Sequence, residues 1–303
     1  MVPPEDTIIP VPWGHISGKW WGPKNQQPCI CIAGWQDNAA TFDPLIPLLP
    51  EHLSFLCIDL PGHGRSTHYP EGLPYYLIYD GAILLRRIQK HYGWNSINIM
   101  GHSLGGIIGF LFAAIYPNDV NTLISLDVVA PIFQFSNTNF VSQMGGMIDK
   151  FLYYDELKDS KDPIDSYDNM IEITLNGHGG RLTRKSCEYL MTRGMYSRGN
   201  DTFSFSRDNR VKMGWIAPSS PDFVRTCAKA IRCRYLNIKA TPYQLDTWPI
   251  YKEICDLIAT GAKEFKIVFV EGTHHVHLNE PEKVCNHISD FLLYSNSEQY
   301  CII

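Results

Sequence analysis

Over the first 130 residues, apolar side chains alternate between short dense runs and longer stretches with a helical repeat. Residues 29–33 (CICIA), 53–58 (LSFLCI) and 97–100 (INIM) are short, apolar and bounded by Gly, Asp or Pro, which predicts buried strands. Between the last two, residues 75–92 carry Leu77, Ile78, Ala82, Leu84, Leu85 and Ile88 at helical spacing. Strand, helix, strand in that order predicts a parallel sheet. Residues 104–116 read as a helix apolar nearly all round, stopped by Pro117, and 122–126 (TLISL) as another strand. From about residue 131 the texture changes: Met, Phe and Tyr mix with polar residues without strand-type runs until about residue 230, which predicts an insertion with its own helices. Strand signals return at 235–238 (YLNI) and 266–270 (KIVFV), separated by a helix over 251–260 and followed by one over 281–294. The whole predicts an α/β fold, a mostly parallel central sheet flanked by helices, with core residues 1–130 and 231–303 and an insertion over 131–230.

The chain has 303 residues, 45% of them hydrophobic and 19% charged, which excludes a disordered chain and allows a sizeable core. A net charge of -5 with no block of like charge leaves no footprint for nucleic acid or an anionic membrane surface. The longest uncharged run, residues 104–116, falls short of the ~20 residues that span a bilayer, so no transmembrane segment is expected. The amino end, MVPPEDTIIP, carries acids and prolines where a secretory leader is basic and then apolar. Nine cysteines are scattered without a CxxC pair, which predicts reduced core thiols, a cytoplasmic location and no zinc.

Gly101-His102-Ser103-Leu104-Gly105 is a G-x-S-x-G sequence set directly after a predicted strand and before a predicted helix. Five letters alone are a weak signal; the strand-turn-helix setting strengthens it. A serine perched above a sheet needs a strained backbone and minimal side chains two residues to either side, which Gly101 and Gly105 supply. The helix beginning at Leu104 points its amides and positive dipole end at the serine, so the Leu104 N–H is placed to stabilise an oxyanion.

Gly34-Trp35-Gln36-Asp37-Asn38 after one strand, Asp59-Leu60-Pro61-Gly62-His63-Gly64-Arg65-Ser66 after the next, the GHSLGG turn and a late His274-His275-Val276-His277-Leu278 together resemble the α/β-hydrolase superfamily. Within it, residues 34–50 are most similar to the animal serine hydrolase-like proteins, including the kraken type of insects. The resemblance implies the α/β-hydrolase fold, with the insertion as a mainly helical lid after the sixth strand, and a triad in the chain order Ser, acid, His.

A base must follow the last strand of that core, and His274 stands seven residues before Pro281, where family members keep theirs. His275 is the alternative, while His277, His63 and His102 read as packing residues. His178-Gly179-Gly180 mimics a lipase oxyanion loop but falls in the insertion. The acid expected after strand 235–238 is missing: Lys239-Ala240-Thr241 offers none, and Asp246 comes three residues late. A second placement in the superfamily, at the end of the strand after the nucleophile helix, is met by Asp127, which is therefore the candidate with Asp246 the alternative. The other oxyanion donor is expected at the Trp35 amide, preceded by Ala33-Gly34 where relatives carry His-Gly. Met144, Met147, Phe151, Tyr153, Tyr154, Met170, Met191, Met195 and Phe203 are candidates to line an apolar pocket. The resulting expectation is a cofactor-independent serine hydrolase of small to medium apolar carboxylic esters. The alternative is a catalytically weak protein that uses the same cavity to bind an apolar small ligand.

Overall fold

A computed structural model describes residues 2–131, 137–157, 163–213, 220–241, 249–293 and 301–302. The predicted strands become the middle of a nine-stranded sheet. Its order is β1 (Glu5–Val11), β2 (Gly14–Trp21), β4 (Phe55–Ile58), β3 (Cys29–Ile32), β5 (Ile97–His102), β6 (Val120–Leu126), β10 (Arg234–Thr241), β11 (Glu264–Glu271) and β12 (Cys301–Ile302). β1, β2 and β4 pair antiparallel, and every pair from β4 to β12 is parallel.

The apolar runs are short and unbroken because both faces of the sheet are covered. With the two-residue repeat of a strand, Ile30, Ile32, Leu56 and Ile58 face one layer, while Cys29, Cys31, Phe55 and Cys57 face the other. The first layer contains α1 (Leu77–Tyr92), α2 (Leu104–Ile115), α6 (Pro221–Ala230) and α7 (Pro249–Gly261); the second contains a short 3-10 turn (Ala39–Phe42), α8 (Val276–Asn279) and α9 (Glu282–Leu293). The chain leaves β3 for β4 on one side and returns across β3 to β5 on the other. The loops after β3 and β5 therefore diverge at the carboxyl edge of the sheet, where open α/β sheets bind their ligands.

The antiparallel β1–β2 pair was not among the predicted strands. β1 is mostly exposed, so it lacks the dense apolar run that marks the buried strands. Between β6 and β10 lie α3 (Asn137–Glu156), β7 (Asp165–Ser166), α4 (Tyr167–Gly177), α5 (Arg184–Gly194), β8 (Met195–Gly199) and β9 (Thr202–Phe205), then α6. β7, β9 and β8 form a small antiparallel sheet in a stretch expected to be helical. Its tight turn is made by Asn200 and Asp201, both with positive φ (50° and 54°), as a hairpin turn of matching twist requires. α6, by contrast, packs on α2 and α7 and buries Val224, Cys227 and Ala228 in their layer.

α5 is tied to the sheet by a buried ion pair. Arg193 places Nε and Nη2 3.0 and 2.8 Å from Asp59 Oδ2 and donates a further 2.7 Å bond to Ser17 Oγ. The same carboxylate accepts the Ala39 and Arg65 amides, so one side chain organises the loops after β3 and β4 as well as α5. Asn38 adds a bond to the Leu190 carbonyl at 2.9 Å.

Candidate active site

Ser103 has φ 49° and ψ −112°, a conformation that costs on the order of 1–3 kcal/mol for a non-glycine residue. Its amide is held by the Leu126 carbonyl at 3.1 Å, and its side chain caps no helix amide, leaving the hydroxyl for other work. The glycines around Ser103 differ in how little room they leave. A methyl on Gly105 would stand 2.1 Å from the Ile32 carbonyl oxygen, and one on Gly101 2.2 Å from the Gly105 carbonyl carbon. At Gly106 the nearest atoms are 3.2 Å away, so a small shift accommodates it. Leu104 is buried as the first residue of α2, directly after the serine.

Asp127 follows β6, is buried and also has positive φ, 68°. Its carboxylate accepts from His274 Nδ1 on one oxygen; on the other it accepts from the Ala240 amide at 3.0 Å and from Lys239 Nζ at 2.6 Å. Lys239 also donates to the Asp127 carbonyl at 3.0 Å. Burial alone would raise this carboxyl, but the His274 hydrogen bond and the Lys239 ammonium outweigh it and hold the group below the ordinary carboxylate range. With Nδ1–H engaged, the neutral His274 ring keeps its lone pair at Nε2, and the ring borders the same cavity as Ser103.

The other histidines fall elsewhere. His275 is buried and meets Asp37, its Nε2 3.1 Å from Oδ2. His277 is buried against Thr41, and His63 donates to the Pro61 carbonyl at 2.9 Å. His102 is turned into the core, where Nε2 donates to the His274 carbonyl at 2.8 Å. Asp246 lies outside the described residues. His178, in the insertion, nevertheless borders the cavity, with Nε2 3.9 Å from Asp37 Oδ1.

The cavity measures about 240 Å³. Its floor includes Gly34, Trp35, Asp37 and Ser103, and its roof includes Ile173, Leu190, Met191 and Phe205. Trp35 is 40% exposed and anchors its ring by a 2.7 Å bond from Nε1 to the Val211 carbonyl. Of the nine apolar side chains expected to line a pocket, Met191 borders it; Met170 is fully buried in the cluster of α4, α5 and β9 that also holds Leu190, Met191 and Phe205. Sequence reasoning also passed over Lys239. Its one signal was a lysine in the middle of the apolar strand YLNIKA, where a buried cation requires an anionic partner.

Sequence comparison agrees with this architecture. Residues 27–172 match the family model described as alpha/beta hydrolase fold. A protein of Drosophila melanogaster named "Probable serine hydrolase" is 41% identical over 290 residues, covering 95% of this chain and 87% of that one. Among solved structures, a hypothetical protein from Pseudomonas aeruginosa PAO1 superposes with a TM-score of 0.79 at 23% identity, covering 95% of this chain and 98% of its own. The thioesterase domain from the curacin biosynthetic pathway does so with a TM-score of 0.76 at 18% identity, covering 94% and 98%. The chain belongs to the α/β-hydrolase family. More narrowly, it is a hydrolase of the serine hydrolase-like type. No helix among the described residues is long and apolar enough to cross a membrane.

Proposed function

We propose that this hydrolase cleaves carboxylic esters of small to medium size through an acyl-enzyme. Ser103 Oγ attacks the acyl carbon, His274 Nε2 takes the hydroxyl proton and returns it to the leaving alcohol, and Asp127 orients and stabilises the imidazolium. The amides of Trp35 and Leu104 stabilise the oxyanion, and water activated by His274 releases the acid. The observation that carries this reading is the hydrogen bond from His274 Nδ1 to Asp127 on the cavity that Ser103 also borders. The insertion over 131–230 acts as a cap: Ile173, Leu190, Met191 and Phe205 supply apolar walls for the acyl part. A volume of about 240 Å³ sits below the ~300–1,000 Å³ of sites for drug-sized ligands, which favours compact substrates. Eight cysteines from Cys29 to Cys285 are free and buried, which suits a reducing compartment such as the cytosol.

One feature favours a second reading, a binder of a small apolar ligand with slow chemistry. Lys239 shares the charge of Asp127 and so weakens its support of an imidazolium. Titration with a fluorophosphonate separates the two. Stoichiometric labelling that disappears in Ser103→Ala, together with turnover of short-chain esters that declines as the acyl chain lengthens, supports the hydrolase. A folded protein that retains an apolar ligand and leaves the probe unreacted overturns it.

A further inference from the structure

At the wall of the Ser103 cavity, Asp37, His102 and His275 converge from the loop after β3, the end of β5 and the loop after β11. All three are buried, with exposures of 2%, 0% and 4%. Asp37 Oδ2 lies 3.1 Å from His275 Nε2 and 3.6 Å from His102 Nδ1, and one donor atom from each residue falls within 4.8 Å of the others.

One proton per imidazole does not account for this arrangement. The His102 Nε2–H is spent on the His274 carbonyl at 2.8 Å. In the neutral tautomer that this bond selects, Nδ1 is a lone pair without a hydrogen-bond partner, 3.6 Å from a carboxylate oxygen. Two acceptors confronting each other in a dry site repel. A hydrogen bond from His275 explains the 3.1 Å contact but leaves His102 Nδ1 and Asp37 Oδ1 without partners. His178 repeats the pattern at the edge: its Nδ1 donates to the Thr174 carbonyl, so in the neutral ring Nε2 presents a lone pair 3.9 Å from Asp37 Oδ1. Gly34 closes the case geometrically. A methyl there would stand 2.9 Å from His102 Nδ1 and 3.1 Å from Asp37 Oδ2, so the lack of a side chain leaves open the gap between them.

We propose that Asp37, His102 and His275 form a binding site for a divalent transition-metal ion, Zn²⁺ above all, with His178 beside it as a further ligand. Neutral imidazoles with one carboxylate suit zinc, nickel or copper, whereas magnesium and calcium take oxygen. Tetrahedral zinc with bonds of about 2.0–2.1 Å needs its ligand atoms about 3.3 Å apart, and the 3.1 and 3.6 Å separations bracket that value. The missing CxxC pair gave no warning, because these ligands come from two loops and a strand end far apart in sequence. His102 precedes Ser103 and His275 follows His274, so drawing donor atoms spread within 4.8 Å into a shell of about 3.3 Å shifts the backbone that carries both. Metal occupancy therefore slows hydrolysis; this second statement rests on the proposed function, while binding itself does not.

The test uses the full chain, stripped with a chelator and titrated with Co²⁺, whose visible d–d bands report nitrogen ligation, then with Zn²⁺ in competition. The expected result is one Co²⁺ per chain, displaced by Zn²⁺, with affinity at least tenfold weaker in Asp37→Asn and His275→Gln and unchanged in the exposed control His91→Gln. Gly34→Ala, which alters no ligand, is expected to lose binding as well, and circular dichroism confirms that each variant compared is folded. Absent bands with no retained zinc, or equal affinity in the folded ligand variants, overturn the site. Fluorophosphonate labelling of the same samples is expected to slow with Zn²⁺ and recover with chelator. Metal bound with labelling undiminished overturns the coupling, and metal bound by a protein that never labels sinks the hydrolase reading while supporting the site.

Discussion

Lys239 Nζ rests 2.6 Å from Asp127 Oδ1, on the carboxylate whose other oxygen holds His274. In the proposed mechanism this aspartate favours a positive imidazolium, yet it already has a cation on it. Replacing Lys239 by Met returns the full negative charge to the histidine, so the acid limb of the pH–rate profile is expected to move to higher pH. Stability is expected to fall by about 3 kcal/mol, the low end for breaking a buried pair, because Ala240 and His274 still donate to the carboxylate. An acid limb that stays where it is shows that the ammonium is not felt at the reacting centre.

Asp127→Asn is expected to lower the ester hydrolysis rate about 10⁴-fold, since the amide favours the wrong imidazole tautomer. Ser103→Ala sets the baseline, and guanidinium unfolding checks that the variant remains native, because Lys239 loses its counter-charge. Retention of the full rate transfers the role of acid to Asp246.

The glycines of the serine turn are not equivalent. Gly105→Ala is expected to destabilise the fold by about 3 kcal/mol or to prevent its expression, because the new methyl meets the Ile32 carbonyl. Gly106→Ala is expected to cost under about 1.5 kcal/mol. Denaturant midpoints for the two variants decide the matter, and equal losses would contradict the contact geometry.

His102 stays neutral in the fold down to about pH 4, whereas an unfolded histidine titrates near 6.5. Between those values the unfolded chain binds the extra proton, so stability falls as the pH drops, at roughly 1.4 kcal/mol per pH unit. His63 and His277 are depressed by burial in the same direction and steepen the loss. Urea midpoints measured from pH 8 to pH 4.5 are expected to decline below about 6.5; a flat profile down to pH 5 would show that these rings charge without penalty.

Much of this was legible in the residues. Buried parallel strands announce themselves because both faces are covered, and the observed limits of β3, β5, β6, β10 and β11 lie within a few residues of the apolar runs. The serine turn was readable because Gly101 and Gly105 have no sterically allowed substitute. The β1–β2 pair was missed because one of its faces is solvated, and the β8–β9 hairpin because its signal resides in two turn residues, Asn200-Asp201. The partners of Asp37 and Asp127 were hidden for another reason. Lys239, His102 and His178 meet them across the sheet and the cap, over distances in sequence that no local pattern encodes.

The Arg193 guanidinium locked onto Asp59 has a bearing on selectivity. Lifting that end of α5 would strand two opposite charges in a dry interior, at about 3–5 kcal/mol, so this wall behaves as masonry rather than as a door. Under the proposed chemistry, a partition that does not yield caps how long an acyl chain the chamber of about 240 Å³ admits.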